Sequence, residues 1–427
     1  MAIIDLGDVR HEPVPAPPTR PPAATGRPLR CAAVLVLALV VLAGATPLPR
    51  RMTTTVPAPQ GATVFLAADA VFVVDPSTGE GERRLTAYAQ PSPDAGGGLR
   101  RRWQAALAGT GNYLDLRVEQ GLVLLLGSTT EDGVYRTTVF DSGTGEQRWQ
   151  RQGVTHWTVD GGLLVLTGPG AGSGAVTRVE PASGRPRWSV PVPPPGIVDY
   201  HRRDGHVDRI VLLQPTGELQ VHDAATGELL RSADTLPGER AAFQRVQVAG
   251  DLLLLVPPGG TRLVAYGLTG LERRWTAELP LVAFAVDCGD LVCVARQTGG
   301  VQALDSRTGA TRWSDPRQDT LVDIRNGQLL VIGAGRRFAV LDPATGRLRA
   351  ELGRWDLVPV PRQDGPLFGV RRGADGRLVV AELDLVAGRS RIVDVLPDAA
   401  GACQAAAPRV LLCRRTDSST TLWRWRR

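Results

Sequence analysis

Beyond residue 62 the apolar residues fall into short β-rich runs separated by polar turns. One period reads LDLRVE (114–119), GLVLLLG (121–127), YRTTVFD (135–141) and EQRWQR (146–151). Runs of this length, rich in branched and aromatic side chains, predict four strands joined by tight turns. A glycine marks the first hairpin of most periods, at Gly121, Gly162, Gly250, Gly289, Gly327 and Gly365.

The third hairpin carries the strongest signal. VFDSGTGEQRW (139–149), VEPASGRPRW (179–188), VHDAATGELL (221–230), ALDSRTGATRW (303–313) and VLDPATGRLR (340–349) are versions of one string. VVDPSTGEGE (73–82), AYGLTGLERRW (265–275) and LDLVAGRSR (383–391) are looser copies. The turn glycines at 79, 145, 184, 227, 270, 309, 346 and 388 are separated by 66, 39, 43, 43, 39, 37 and 42 residues. Four residues before the glycine stands an acid (Asp75, Asp141, Glu180, Asp223, Asp305, Asp342, Asp384), with Tyr266 the exception. A carboxylate accepts hydrogen bonds from turn amides, and glycine supplies the positive φ of a tight hairpin. Acids in successive repeats lie far apart, so they read as turn chemistry rather than metal ligands.

A period near forty residues with four strands predicts an all-β propeller over 63–427. Trp149, Trp188 and Trp313 follow the turn glycine by four residues, and Trp275 by five. At a repeated outer-strand position such rings are expected to dock each blade on its neighbour, each worth about 1.5–3 kcal/mol by area. Arg231, Ala350 and Ile392 hold that position elsewhere. The string Ala-x-Asp-x-x-Thr-Gly-x-x-x-Trp resembles the blade signature of the pyrroloquinoline-quinone (PQQ) dehydrogenase family and its non-enzymatic branch, including membrane-anchored actinobacterial members. The resemblance covers most of residues 61–427 and implies fold more than activity.

Ring closure fixes the blade count. The chain stops where a ninth turn is due, leaving RVLLCRR and TLWRWRR without a fourth strand. Pairing them with GERRLTAYA (81–89) predicts eight blades, with seven as the alternative. In that scheme the strands of TVFLAADAVFVVD (63–75) are surplus and residues 90–112 form a loop insertion.

The N-terminus reads differently. Residues 1–30 are Pro-rich and predict a disordered cytoplasmic segment. Residues 31–48, CAAVLVLALVVLAGATPL, carry no charge and are just long enough to cross a bilayer, preceded by Arg20, Arg27 and Arg30. This predicts a single-pass signal-anchor with the propeller outside the cytoplasm. The alternative is secretion after cleavage at Ala45. Residues 49–62 read as a linker.

Composition adds exclusions. All 49 basic residues are Arg against 43 acids, which removes lysine-dependent chemistry such as a P-loop or Schiff base. In an exported domain, Cys288 with Cys293 and Cys403 with Cys413 flank hairpins and predict two local disulfides. Quinoprotein cofactor sites use a vicinal Cys-Cys pair and amide ligands, but this chain has no such pair and only Asn112 and Asn326. No catalytic, cofactor or metal residue is therefore assigned. Tyr200, His201 and His206 in YHRRDGHVDR read as an exposed turn, and His156 and His222 as isolated residues.

The expected function is a non-catalytic protein-interaction or scaffolding module whose partner is an envelope or extracellular protein, not nucleic acid. One alternative is a binder of envelope polysaccharide or anionic polymer through Arg101, Arg102, Arg202, Arg203, Arg336, Arg337, Arg371, Arg372, Arg414 and Arg415. Clustering of these pairs on one face would support it. The other alternative is a quinoprotein-like oxidoreductase.

Overall fold

A computed structural model describes residues 51–76, 83–91, 98–107, 111–129, 133–168, 174–235, 245–257, 260–279, 281–359, 367–406 and 409–425. The expected Pro-rich segment (1–30) and membrane anchor (31–48) lie outside these residues, as does the turn glycine Gly79.

The described residues form nine four-stranded antiparallel sheets, so the propeller has nine blades rather than eight or seven. Blades 1 to 8 occupy 63–107, 111–152, 154–192, 197–234, 245–278, 282–315, 318–353 and 356–396. Blade 9 takes three strands from 399–425 and its fourth from Arg51–Val56, which pairs antiparallel with Thr420–Trp425. The closing strand thus comes from within the expected linker, not from 81–89.

The miscount has a local cause. In blade 1 the Asp75 turn joins the second and third strands, Ala70–Val74 and Arg83–Ala89; every other such turn joins the third and fourth. Turn chemistry is local and carries no information about strand order. The apparently surplus strands of 63–75 are the first two of blade 1, and its fourth, Arg100–Leu107, lies inside the expected insertion.

Each sheet is buried on both faces, which explains why second strands such as Leu122–Thr129, Leu252–Val256 and Gln328–Gly333 open on near-continuous apolar runs. Alternate side chains point to opposite neighbours. Val123 and Leu125 pack toward blade 1, whereas Leu122 and Leu124 pack toward blade 3. Nine hydrophobic clusters result, one at each seam. The last seam is also hydrogen-bonded: Gln404 of blade 9 accepts from the Leu66 amide at 2.8 Å and donates to the Val64 carbonyl at 2.7 Å. The ring is closed, with no sheet edge between its first and last blades.

Candidate functional site

Three sets of polar side chains could carry function: the third-hairpin turns, the groups on the first strands, and the loop arginines.

The turns are structural. Asp141 accepts from the Gly143 and Thr144 amides at 3.0 and 2.9 Å, and from Arg148 at 2.9 Å. That arginine, more than the amides, pulls the Asp141 carboxyl down to about 2. Asp305 is held the same way by Arg312 and the Thr308 and Arg307 amides. Asp342 with Arg349, and Glu180 with Arg187, repeat the seven-residue spacing. Among the described residues no acid, His or Cys group is arranged to hold a metal.

Against most of these turns lies an indole from the preceding blade. The Nε1 of Trp149, Trp188, Trp275 and Trp313 donates to the carbonyls of Pro181, Ala225, Ser306 and Pro343 at 2.7, 3.0, 2.8 and 2.8 Å. The rings cover Gly184, Gly227, Gly309 and Gly346 so closely that a Cβ there would meet ring carbon within 2.5–2.6 Å. Trp103 is a fifth, unanticipated member: it donates to the Ser142 carbonyl at 2.8 Å and covers Gly145. The sequence signal was available, since the Gly145 turn otherwise receives no ring. Blade 5 also restores a register. Its positive-φ residue is Leu271 (+54°), not Gly270, and the Leu271 amide donates to Gly267 as that of Gly145 does to Asp141. Trp275 therefore sits four residues past its turn like the others. Ala350 lies against Gly388 without a ring, and Ile392 is 57% exposed.

Both disulfides are formed, Cys288–Cys293 and Cys403–Cys413, each stapling the first hairpin of its blade.

The described histidines, His156, His201, His206 and His222, lie on strands and each has a hydrogen-bond partner, so they are neither turn residues nor isolated. First strands of blades 2, 3 and 4 bring Glu119, His156 and Tyr200 to one region. His206 bonds the Glu119 carboxylate at 2.6 Å, bridging blade 4 to blade 2. The His156 ring lies 4.6 Å from Tyr200 and 3.2 Å from an Arg202 nitrogen. Burial, reinforced by Arg202 and Arg117, lowers the His156 pKa to about 3, so the ring is neutral. Burial likewise raises the Tyr200 phenol. His201 and Arg203 both pair with the buried Asp208. Glu119, His206, His201, Arg203 and Asp208 are spent on one another, the His206–Glu119 contact ties blade 4 to blade 2, and the Tyr200 hydroxyl is buried without a partner. A neighbouring cleft of about 410 Å³, lined by Asp160, Arg178, Glu180 and Arg187, is likewise internally paired.

The arginine pairs divide between the faces. First-to-second and third-to-fourth strand turns lie on one face, the glycine-turn face; second-to-third turns and links between blades lie on the other, the linking face. Arg101, Arg102, Arg202 and Arg203 fall toward the glycine-turn face, where Arg102 pairs with Asp69 at 2.8 Å. Arg336, Arg337, Arg371, Arg372, Arg414 and Arg415 fall toward the linking face of blades 7, 8 and 9.

The family model described as outer membrane protein assembly factor BamB matches residues 138–280 and, about two blades further on, 215–356. Together the matches span just over half of the chain. The chain belongs to this family. Overlapping matches are what a BamB-type array of similar blades produces. A search of curated proteins finds no match. Among solved structures, BamB from Moraxella catarrhalis is 13% identical with a TM-score of 0.45, covering 88% of this chain and 97% of that one. The computationally designed Ika8 protein is 16% identical with a TM-score of 0.46, covering 74% and 98%. The quinohemoprotein alcohol dehydrogenase ADHIIG from Pseudomonas putida HK5 is 14% identical with a TM-score of 0.38, covering 73% and 78%.

Proposed function

We propose that the protein is a non-catalytic interaction platform, tethered by residues 31–48 and holding its propeller outside the cytoplasm, where it binds an envelope or extracellular protein. One observation carries this reading. The ionisable pairs Glu119–His206 and His201–Asp208 are satisfied internally, while Arg336, Arg354, Arg371 and Arg414, with no carboxylate partner among the described residues, lie exposed at turns and links of one face. Such an arrangement stiffens the ring and leaves recognition to its surface. The family match supports it, since the family is described by an assembly factor.

The test is to purify the full chain from membranes and incubate it with PQQ and calcium. The expected protein is membrane-bound, colourless after dialysis and inactive in dye-linked alcohol oxidation. A retained quinone absorbance with alcohol-dependent dye reduction would replace the platform with an oxidoreductase. A soluble chain beginning at Thr46 would replace the anchor with a cleaved signal. The polymer-binding alternative loses its simplest argument, because its ten arginines are split between two faces.

A further inference from the structure

We propose that the linking face of blades 7, 8 and 9 is the docking surface, and that it accepts an acidic peptide segment of the partner protein. This deepens the platform reading and rests on it.

The surface is continuous across three blades. Arg354, in the link from blade 7 to blade 8, approaches Gly335 beside Arg336, where an added Cβ would lie 2.9 Å from its Nη2. The next residue, Trp355, lies under the Arg371 guanidinium, 4.6 Å from ring centroid to Cζ. Arg372 then donates to the Ala400 carbonyl of blade 9 at 2.9 Å. Two residues earlier Asp398 pairs with Arg415 at 3.4 Å and accepts the Thr416 amide at 2.8 Å. These contacts hold the three second-to-third turns in fixed relation.

Along it, Arg336, Arg354, Arg371 and Arg414 are exposed, and no carboxylate among the described residues lies within ion-pair distance of them. The corresponding turn of blade 4, Gln214 to Gly217, carries no arginine, and that of blade 6 has only the half-buried Arg296, folded over its own Gly300. Planar guanidinium groups suit carboxylates bidentately, and Arg371 is pre-oriented on its indole.

Fixed acids decide between ligands. Glu351, Asp356, Asp375, Asp398 and Asp417 are interspersed with the arginines. A polymer charged at every unit would meet these carboxylates and be repelled. A peptide with separated Asp or Glu residues can place each acid on an arginine and neutral residues over the fixed acids.

The experiment uses full-length protein in detergent and two fluorescent probes of equal charge: a peptide with glutamates separated by glycine and serine, and a short polyphosphate. The peptide is expected to bind with affinity falling as salt rises, and more tightly than polyphosphate. Arg336→Glu/Arg371→Glu/Arg414→Glu should weaken peptide binding by about tenfold or more, from the loss of several exposed ion pairs. Arg101→Glu, on the other face, should leave it unchanged. Circular dichroism confirms that each variant is folded. Tighter binding of polyphosphate, or equal loss in both variants, overturns the acidic-peptide surface while leaving the platform reading intact. Quinone-dependent activity of the same preparation overturns the platform itself.

Discussion

The seam between blades 5 and 6 allows the docking geometry to be tested quantitatively. Trp275 is 6% exposed, packs on Gly309 and hydrogen-bonds the Ser306 carbonyl at 2.8 Å. Trp275→Ala removes the ring and leaves a cavity, with an expected cost of about 3–5 kcal/mol. Gly309 has φ of +71°, and a Cβ there would lie 2.6 Å from the indole Cε3. Gly309→Ala therefore meets two penalties: about 1–2 kcal/mol for an L-residue in the left-handed region, and about 1–3 kcal/mol for displacing the ring. Only the first survives once the ring is gone. The double variant should thus be more stable than the sum of the single effects by about 1–3 kcal/mol. Urea unfolding under non-reducing conditions, followed by far-ultraviolet circular dichroism, measures all four species. Equal cost of Gly309→Ala with and without Trp275 would refute direct contact between ring and glycine as the source of docking.

Three further outcomes follow from the structure. Removing residues 51–56 should expose the unpaired edge of Thr420–Trp425 and convert a monodisperse protein into aggregates, read by size-exclusion chromatography with light scattering. Replacing Cys403 and Cys413 by Ser should lower urea stability by about 2–3 kcal/mol, and the Cys288/Cys293 pair by slightly less because its loop is shorter. His156, with a folded pKa of about 3 against about 6.5 when unfolded, stabilises fully above pH 6.5. That contribution, on the order of a few kcal/mol, is lost as pH falls from 6.5 toward 3, because only the unfolded chain takes up the proton. His156→Gln should flatten stability over that window in denaturant titrations at stepped pH.

The architecture was legible because its punctuation is covalently local. Asp141, Thr144, Gly145 and Trp149 lie within nine residues, and together they define hairpin, strand and docking ring. What failed was counting. The Asp75 turn uses the same letters for a different hairpin, and the closing strand pairs Arg51 with Trp425, a contact that no local spacing encodes. Leu271 shows a subtler limit: the fold requires a left-handed residue at a fixed position, and in blade 5 a leucine takes it although a glycine is adjacent. The histidine cluster was hidden for the same reason as the closure. Glu119, His156 and Tyr200 come from three blades and meet only once the ring exists. Of the ten arginines, none could be assigned a face until strand order was known.

The closing blade also sets the order of events in biosynthesis. Eight blades are each made of consecutive residues and can complete their own pairing as they leave the ribosome. The ninth cannot: Arg51–Val56 emerges before any other strand of the propeller, and Thr420–Trp425 after all the rest. Until Thr420–Trp425 has been made, the leading strand has no partner and the first blade has no neighbour on one flank. A chain truncated anywhere upstream of residue 420 remains an open arc, with Arg51–Val56 left without the strand it pairs. Closure is thus the last pairing the ring can make, whatever the order in which its other blades form.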